Sequence, residues 1–281
     1  MSYELGEWLN LALRWIHVVA AIFWIGQTAL FSWLDSRVEV ARSGDGGAAA
    51  GRGTEGAEAL WMVHSGGFYR VDKRPWGEPL PQVLHWFRWE SAWTWTSGFL
   101  LLLVVYYRGG ALVVPDAPLG WPGAAAIGLG TLVGGWMAYD ALWRSPLARH
   151  GRWLAVGCFA ALVPLAWGLG LVLSGRAAYL HVGALLGTVM AANVWMRILP
   201  NQKRLVAAAA AGRQPDLALA DEAKRRSRHN TYLALPVVFL MISHHFPTAA
   251  YGHRLDWLML GLFVALGLAG RWAIERWEGR R

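Results

Sequence analysis

The sequence predicts an all-α, polytopic membrane protein, a bundle of about seven transmembrane helices. Of its 281 residues, 56% are hydrophobic and 16% are charged, against about 25% charged residues in soluble domains. Apolar runs of nearly 20 residues recur along the chain, and its 19 tryptophans outnumber 9 Phe and 8 Tyr. Because an indole ring favours the membrane–water interface, these observations exclude a disordered chain and a highly charged soluble domain.

Seven segments approach the length that crosses the hydrocarbon layer, about 20 apolar residues. They are residues 8–34, 89–107, 121–143, 153–173, 177–199, 231–246 and 255–277. The sixth segment is the shortest and contains Pro236, which predicts a kink. We therefore expect residues 1–281 to form a single integral membrane domain with two long cytoplasmic loops, at about 35–88 and 200–230.

Lysine and arginine are distributed unevenly between the two faces of the predicted bundle. If the spans alternate in direction, 22 of the 26 fall on one face. Because positive charge stays on the cytoplasmic side, the N-terminus is predicted outside and the C-terminus inside. The net charge of +8 then reflects orientation in a lipid bilayer, and we expect no nucleic-acid partner. The basic cluster at residues 224–228 predicts either a surface helix attracted to anionic lipid or, as the simpler interpretation, a solvated part of the second loop.

Cysteine usage limits the chemistry. Cys158 is the single cysteine, which excludes an internal disulfide, a thiolate metal cluster and a Cys-x-x-Cys-His haem attachment within these residues. We therefore expect no cytochrome c domain in residues 1–281. Histidine, with nine copies, is the remaining soft metal ligand.

Histidines lie near the predicted outer ends of three spans. Ionisable residues inside spans are functional hypotheses by default, and two imidazoles from facing helices are the axial ligands of a b-type haem. The sequence therefore predicts haem b, with His17 and His181 as the favoured ligand pair and His245 as the competitor. The alternative is that each imidazole only hydrogen-bonds a neighbouring helix or interfacial water.

A second group of chemically versatile residues lies in the first cytoplasmic loop and at the start of the second span. Acid–base groups, cations and stacking aromatics together suit a planar, anionic heterocycle. The candidates are His64, His85 and Glu90 as catalytic groups and Tyr69, Arg70 and Arg88 as substrate-binding groups. An ordinary tryptophan-rich interfacial belt with positive-inside arginines explains the same residues, and on chemistry alone that alternative is favoured.

Two polar residues within spans have simpler predicted roles. Asp140 lies four residues before Arg144, which predicts an ion pair along one helix. Asn193 predicts a hydrogen bond between helices. The four-residue spacings of Gly130 and Gly134, and of Gly261 and Ala265, predict faces on which a neighbouring helix packs closely.

Several runs of residues, taken in chain order, carry a family resemblance. They are Leu13–His17, Trp24–Gly26, Val63–Tyr69, His85–Phe87, Trp89–Glu90, Gly134–Trp136, Tyr139–Asp140, His181–Ala184, Ala191–Val194, Pro200–Gln202, Ser227–Asn230 and Leu235–Pro236. Together they cover nearly the whole chain and resemble the bacterial membrane-bound urate oxidase family, also described as cytochrome c urate oxidase or urate hydroxylase.

The resemblance implies an oxidoreductase of purine catabolism in the bacterial inner membrane. Members oxidise urate to 5-hydroxyisourate and pass electrons to a cytochrome c domain, so here a separate cytochrome c, or a neighbouring respiratory subunit, is the expected acceptor. Two other functions remain open: a haem-binding electron-transfer protein that acts on another substrate such as a quinol, and a non-enzymatic structural subunit of a membrane complex.

Overall fold

The computed structural model of the chain describes residues 3–44, 59–73, 81, 83–114, 117–252 and 254–278. Helices dominate these ranges, which confirms the predicted all-α class. The α-helices are α1 (Tyr3–Gly44), α2 (Trp89–Leu101), α3 (Gly120–Arg144), α4 (Gly151–Gly170), α5 (Gly175–Asn193), α6 (Leu199–Ala210), α7 (Leu217–Ile242) and α8 (Asp256–Glu278). A short antiparallel hairpin, β1 (Leu60–His64) with β2 (Gly67–Val71), lies between α1 and α2.

Two π-helical turns extend the α-helices. The turn Leu102–Arg108 continues α2, and the turn Val194–Ile198 joins α5 to α6. Residues Gly175–Ala210 thereby form one helical stretch of 36 residues. A π-helical turn carries an additional residue, so it rotates the side chains that follow it and often marks a functional site. Both turns hold side chains of the polar clusters described below.

Four helical stretches in the described ranges are long and apolar enough to cross a membrane, judged by length and composition. They are Glu4–Val38, Pro146–Gly170, Gly175–Ala210 and Asp256–Glu278, and they agree with a membrane protein. The other three predicted spans, at 89–107, 121–143 and 231–246, are helical. Their crossing of the membrane and the outward N-terminus stay predictions.

The segment predicted as the second cytoplasmic loop, at 200–230, is mostly helical, and its cytoplasmic location stays a prediction. The helix α6 ends at Ala210, and α7 begins at Leu217. Asp216 is the N-cap of α7, and its side chain accepts a hydrogen bond from the Ala218 N–H at 3.0 Å. Such an N-terminal cap stabilises the first helical turn. Pro236 thus lies well inside a 26-residue helix. The predicted loop at 35–88 also includes the end of α1 and the hairpin.

The helix α5 is the centre of the bundle. Its side chains are mostly buried, whereas large apolar side chains of α1 and α4 remain exposed, as expected for helices that face lipid. The predicted close approach is absent at Gly130 and Gly134, where a Cβ would meet nothing within 4 Å, but it is present at Gly261, where a Cβ would lie 2.9 Å from Val163 Cγ2 of α4. On α3, Gly128 and Gly135 are the glycines that face α5, and a Cβ at Gly135 would clash with the Leu185 side chain.

Candidate functional site

A buried ionic cluster joins α3, α7 and the π-helical turn after α5, at the predicted cytoplasmic end. Asp140 is 7% exposed and Arg226 is 0% exposed. The Arg226 Nη2 donates to Asp140 Oδ1 at 2.9 Å. Arg197 approaches the same carboxylate with two nitrogens, and its Nε donates to Oδ1 at 2.8 Å. Two guanidinium groups thus share one carboxylate, in charge-assisted hydrogen bonds.

Neutral polar groups continue this cluster on its other side. The Asn193 Nδ2 donates both to Tyr139 Oη and to Asn230 Oδ1, each at 3.0 Å. The Tyr139 hydroxyl lies 2.6 Å from His229 Nδ1. The two groups form one hydrogen bond, whose direction depends on the tautomer of His229. The Arg226 guanidinium carbon lies 5.1 Å from the centre of the Tyr139 ring.

His229 lies just before the sixth predicted span and is held in its neutral form. Burial is the main cause that lowers its pKa to about 4, and the positive charges of Arg226, Arg225 and Arg228 add to it. The Trp143 ring packs against the imidazole with centroids 4.2 Å apart. The cluster therefore holds a neutral imidazole and a phenol beside a buried ionic group, an arrangement that can exchange a proton.

Local sequence explains how these side chains meet. Arg226, His229 and Asn230 follow the spacing of three and four residues that places them on one face of α7. On the neighbouring helix, the π-helical turn directly follows Asn193 and carries Arg197. Backbone geometry thus presents the amide and the guanidinium of this helix to the same cluster.

Asn193 and Asp140 of this cluster were predicted from the sequence, but the buried Arg226 at its centre was not. The hydrogen bonds of Asn193 to α3 and α7 confirm its predicted interhelical role. Asp140 does approach Arg144, but at 3.9 Å and with Arg144 largely exposed, so its main partners are Arg197 and Arg226. The prediction that Arg226 belongs to a solvated cluster was wrong, because its side chain is fully buried.

His17 lies where α1 packs against α2. Its Nδ1 lies 2.9 Å from the Thr94 carbonyl oxygen and 3.3 Å from Ser97 Oγ. A Cβ at Gly98 would come within 2.7 Å of the ring, so only glycine accommodates the imidazole there. An Nδ1–H donated to a carbonyl leaves the lone pair on Nε2, which is the arrangement of many metal-ligating histidines. His17 therefore fits the predicted role of an axial ligand.

His181 does not fit that role in this structure. The side chain is 0% exposed, its Nδ1 donates to the Ala177 carbonyl oxygen at 2.7 Å, and its Nε2 lies 2.9 Å from the Tyr107 hydroxyl. A Cβ at Gly128 would come within 2.7 Å of the same Nε2. The phenol and the α3 backbone thus occupy the side on which a porphyrin iron would bind.

The third predicted ligand, His245, is exposed at the end of α7. Its ring stacks on His244 with centroids 3.8 Å apart. The described contacts of the three histidines are with different elements: His17 contacts α2, His181 contacts α3 and the π-helical turn after α2, and His245 contacts its own neighbour. These contacts do not bring the three imidazoles together, and haem b stays a prediction.

The hairpin separates three of the predicted substrate-site residues. In the strand register Met62 pairs with Tyr69 and Trp61 pairs with Arg70, so Tyr69 and Arg70 point to opposite faces because side chains alternate along a strand. His64 points to the same face as Tyr69. All three predicted residues are exposed.

The remaining three predicted residues lie at the entrance to α2. His85 is exposed, Arg88 packs its guanidinium over the Trp89 ring at 5.4 Å, and Glu90 accepts a hydrogen bond from Gln27 Nε2 at 3.1 Å. Glu90 also lines a groove of about 310 Å³ between α1 and α2. The other lining residues are Trp15, Ile16, Val19, Ala20, Phe23, Trp89 and Trp93. Of the six predicted substrate-site residues, Glu90 is the one that lines this groove.

The fold and these sites define a class, a helical membrane protein that buries ionisable side chains between its spans. A comparison with protein families gives a narrower assignment. The model of the family described as Urate oxidase N-terminal matches residues 3–280, so the chain belongs to that family and the predicted resemblance is confirmed. The comparison with curated proteins and the comparison with solved structures gave no match.

Proposed function

We propose that this protein oxidises urate to 5-hydroxyisourate at the bacterial inner membrane and passes the electrons to a separate cytochrome c. The observation that carries the proposal is the match to the urate oxidase N-terminal family over residues 3–280. The apolar helices support the membrane location, and the aromatic and ionisable side chains at the start of α2 support a planar anionic substrate.

The reaction balances with water as the oxygen donor. The urate monoanion and one water give neutral 5-hydroxyisourate, one proton and two electrons. A c-type cytochrome accepts one electron at a time, so two equivalents are reduced for each urate. Residues 1–281 contain one cysteine, Cys158, so this part of the protein has no Cys-x-x-Cys-His haem attachment. The acceptor in this proposal is a separate cytochrome c or a haem-containing neighbouring membrane subunit.

Glu90 is the residue of this proposal that takes the proton. Its carboxylate is oriented by Gln27 and lies in a groove whose indole rings, Trp89 and Trp93, can stack on a planar ring. Arg88 supplies positive charge for the monoanion, and its buried Nε has no hydrogen-bond partner among the described residues. His85 is an exposed residue near the start of α2. The proposal does not require His64, Tyr69 and Arg70 to act together, because Tyr69 and Arg70 point to opposite faces of the hairpin.

No step of the proposal passes through haem b. His17 could hold such a group, since its Nδ1 is engaged and its Nε2 carries the lone pair, and a bound haem would relay single electrons. His181 would first have to lose its contact with Tyr107. The proposal is therefore tested on the reaction itself, with any electron acceptor present.

Protein purified in detergent, with urate and added cytochrome c, provides the test. We expect urate-dependent reduction of the cytochrome, and we expect Glu90→Gln to lower kcat by about 10²–10⁴-fold because a general base is lost. Glu275→Gln is the matched control: Glu275 also accepts hydrogen bonds, from Arg228 and Tyr232, but lies on α8, away from the groove. Absence of urate oxidation with cytochrome c and with artificial one-electron acceptors would refute the proposal.

A second candidate function is quinol oxidation. The groove between α1 and α2 favours this function. It is lined by seven apolar side chains and one carboxylate, and such a surface suits a lipid-soluble reductant. Cytochrome c reduction by a quinol, without any reduction by urate, would select this function. Copurification in a larger complex without turnover of either substrate would instead favour a structural subunit.

A further inference from the structure

A cationic cluster lies at the predicted outer end of the bundle, where four elements meet. Arg176 is the second residue of α5, and its guanidinium carbon lies 5.6 Å from the centre of the Tyr106 ring, in the π-helical turn after α2. The charges of Arg176 and of Arg14 from α1 both act on the Tyr106 hydroxyl and on the imidazole of His244, which follows α7. Tyr251 donates a hydrogen bond to the His244 carbonyl oxygen at 3.2 Å and so closes the cluster.

Two buried polar atoms in this cluster form no hydrogen bond of regular geometry among the described residues. They are the Arg176 Nε and the Tyr106 hydroxyl, on a side chain that is 3% exposed. The Arg176 guanidinium does interact with this hydroxyl, so the hydroxyl hydrogen and the Arg176 Nε–H are the donors that remain free for a ligand. A buried polar group without a partner costs about 1–3 kcal/mol, so such groups are normally satisfied. Their joint occurrence beside further positive charge indicates a ligand that accepts hydrogen bonds.

The electrostatics of the cluster favour an anion. The N-terminus of α5, which carries the positive end of the helix dipole, adds to the charges of Arg14 and Arg176. Its N-cap, Ser174, accepts a hydrogen bond from the Ala177 N–H at 3.2 Å.

We propose that this cluster binds a phosphate-type oxyanion, with Arg176 and the Tyr106 hydroxyl as its direct donors. Arginine binds such anions through a planar fork of N–H donors, and a phosphate oxygen satisfies both orphaned atoms. Two sources carry this chemistry at the outer face: the phosphodiester of a phospholipid headgroup and free inorganic phosphate. The proposal does not depend on urate oxidation, because binding is measured without urate.

The first experiment titrates inorganic phosphate into delipidated protein at constant ionic strength and follows binding by calorimetry. We expect saturable binding that Arg176→Met weakens by about tenfold or more, since a charge-assisted hydrogen bond is lost. Arg108→Met is the matched control, because Arg108 lies in the same π-helical turn at the same face but is exposed; it should retain wild-type affinity. Tyr106→Phe keeps the ring and removes only the orphaned hydroxyl, so it should fold and bind phosphate more weakly.

The second experiment determines the source by native mass spectrometry after addition of phosphatidylglycerol. Retention of one phospholipid by the wild type, with loss in Arg176→Met but not in Arg108→Met, supports a lipid headgroup as the ligand. Phosphate binding in the calorimeter without lipid retention supports the free anion. The proposal is overturned if neither ligand binds, or if Arg176→Met and Arg108→Met change binding equally, because the effect would then be non-specific attraction.

Discussion

Replacing Asp140 with asparagine removes the carboxylate that two arginines share while it keeps the size and shape of the side chain. Arg226 is fully buried, and its Nη2 lies 2.9 Å from Asp140 Oδ1. Removing one partner of a buried ion pair costs about 3–5 kcal/mol, since the other charge is left uncompensated. The Arg197 side chain is 24% exposed, so water screens its share and Arg226 accounts for most of the loss.

Thermal unfolding in detergent, followed by circular dichroism, measures this effect. A loss of this size lowers Tm by on the order of 10 °C in a domain of more than 150 residues. Asp72→Asn is the control, because Asp72 pairs with Arg70 on the surface with both side chains exposed, and its removal should leave Tm nearly unchanged.

A second substitution tests whether the uncompensated charge of Arg226 causes the loss of stability. Adding Arg226→Met to Asp140→Asn removes that charge, so the double variant should recover at least half of the decrease in Tm. The reasoning is refuted if Asp140→Asn melts within about 1 °C of wild type. It also fails if Arg226→Met lowers the stability of the Asp140→Asn variant further, because the two residues would then act independently.

Two further predictions concern packing and pH. Gly128→Ala places a Cβ against the Tyr107 hydroxyl and 2.7 Å from His181 Nε2, so it should destabilise the protein by about 1–3 kcal/mol in detergent melts. Gly130→Ala is the control, because a Cβ there meets nothing within 4 Å, and it should leave Tm unchanged. Equal melting temperatures of the two variants would contradict the packing of α3 against His181. Burial and neighbouring arginines lower the pKa of His229 to about 4 in the folded protein, whereas an imidazole in the unfolded chain has a pKa of about 6.5. As the pH falls from about 6.5 to about 4, the unfolded chain therefore binds a proton that the folded protein does not bind, and the free energy of unfolding decreases. The melting temperature of His229→Gln should therefore fall less than that of the wild type over this pH interval. An equal fall in both proteins would show that a group other than His229 titrates.

The helices could be predicted closely from the sequence because their signal is local. Hydropathy within a window of about 20 residues records whether a segment can leave water. The predicted span at 121–143 corresponds to α3 (Gly120–Arg144), and the span at 255–277 corresponds to α8 (Asp256–Glu278). A surface helix at the basic cluster was one of the two predicted alternatives, but its continuity with the sixth span in one helix from Leu217 to Ile242 was not predicted, because the first turns of α7 have no apolar run.

The candidate site was predictable only in part. Asp140 and Asn193 are noticeable in the sequence because polar side chains are costly inside spans. Arg226 gave no such signal, since it lies in a run of basic residues that resembles a solvated surface. The histidine ligand pair stays a prediction, and the surroundings of His181 could not be predicted: nothing next to it in the sequence indicates that the Tyr107 hydroxyl, 74 positions away, contacts its Nε2.

The sequence by itself determined the class of the protein, its helices and its family, because composition, hydropathy and ordered motifs are properties of the chain alone. Tertiary structure decided which charges are buried and which partners they have. Arg226 and Asp140 are 86 positions apart, and only the packing of α3 and α7 around α5 brings them into contact. Burial depends on the neighbours that packing supplies, so the same arginine is a solvated cation in isolation and half of a buried ion pair in the bundle.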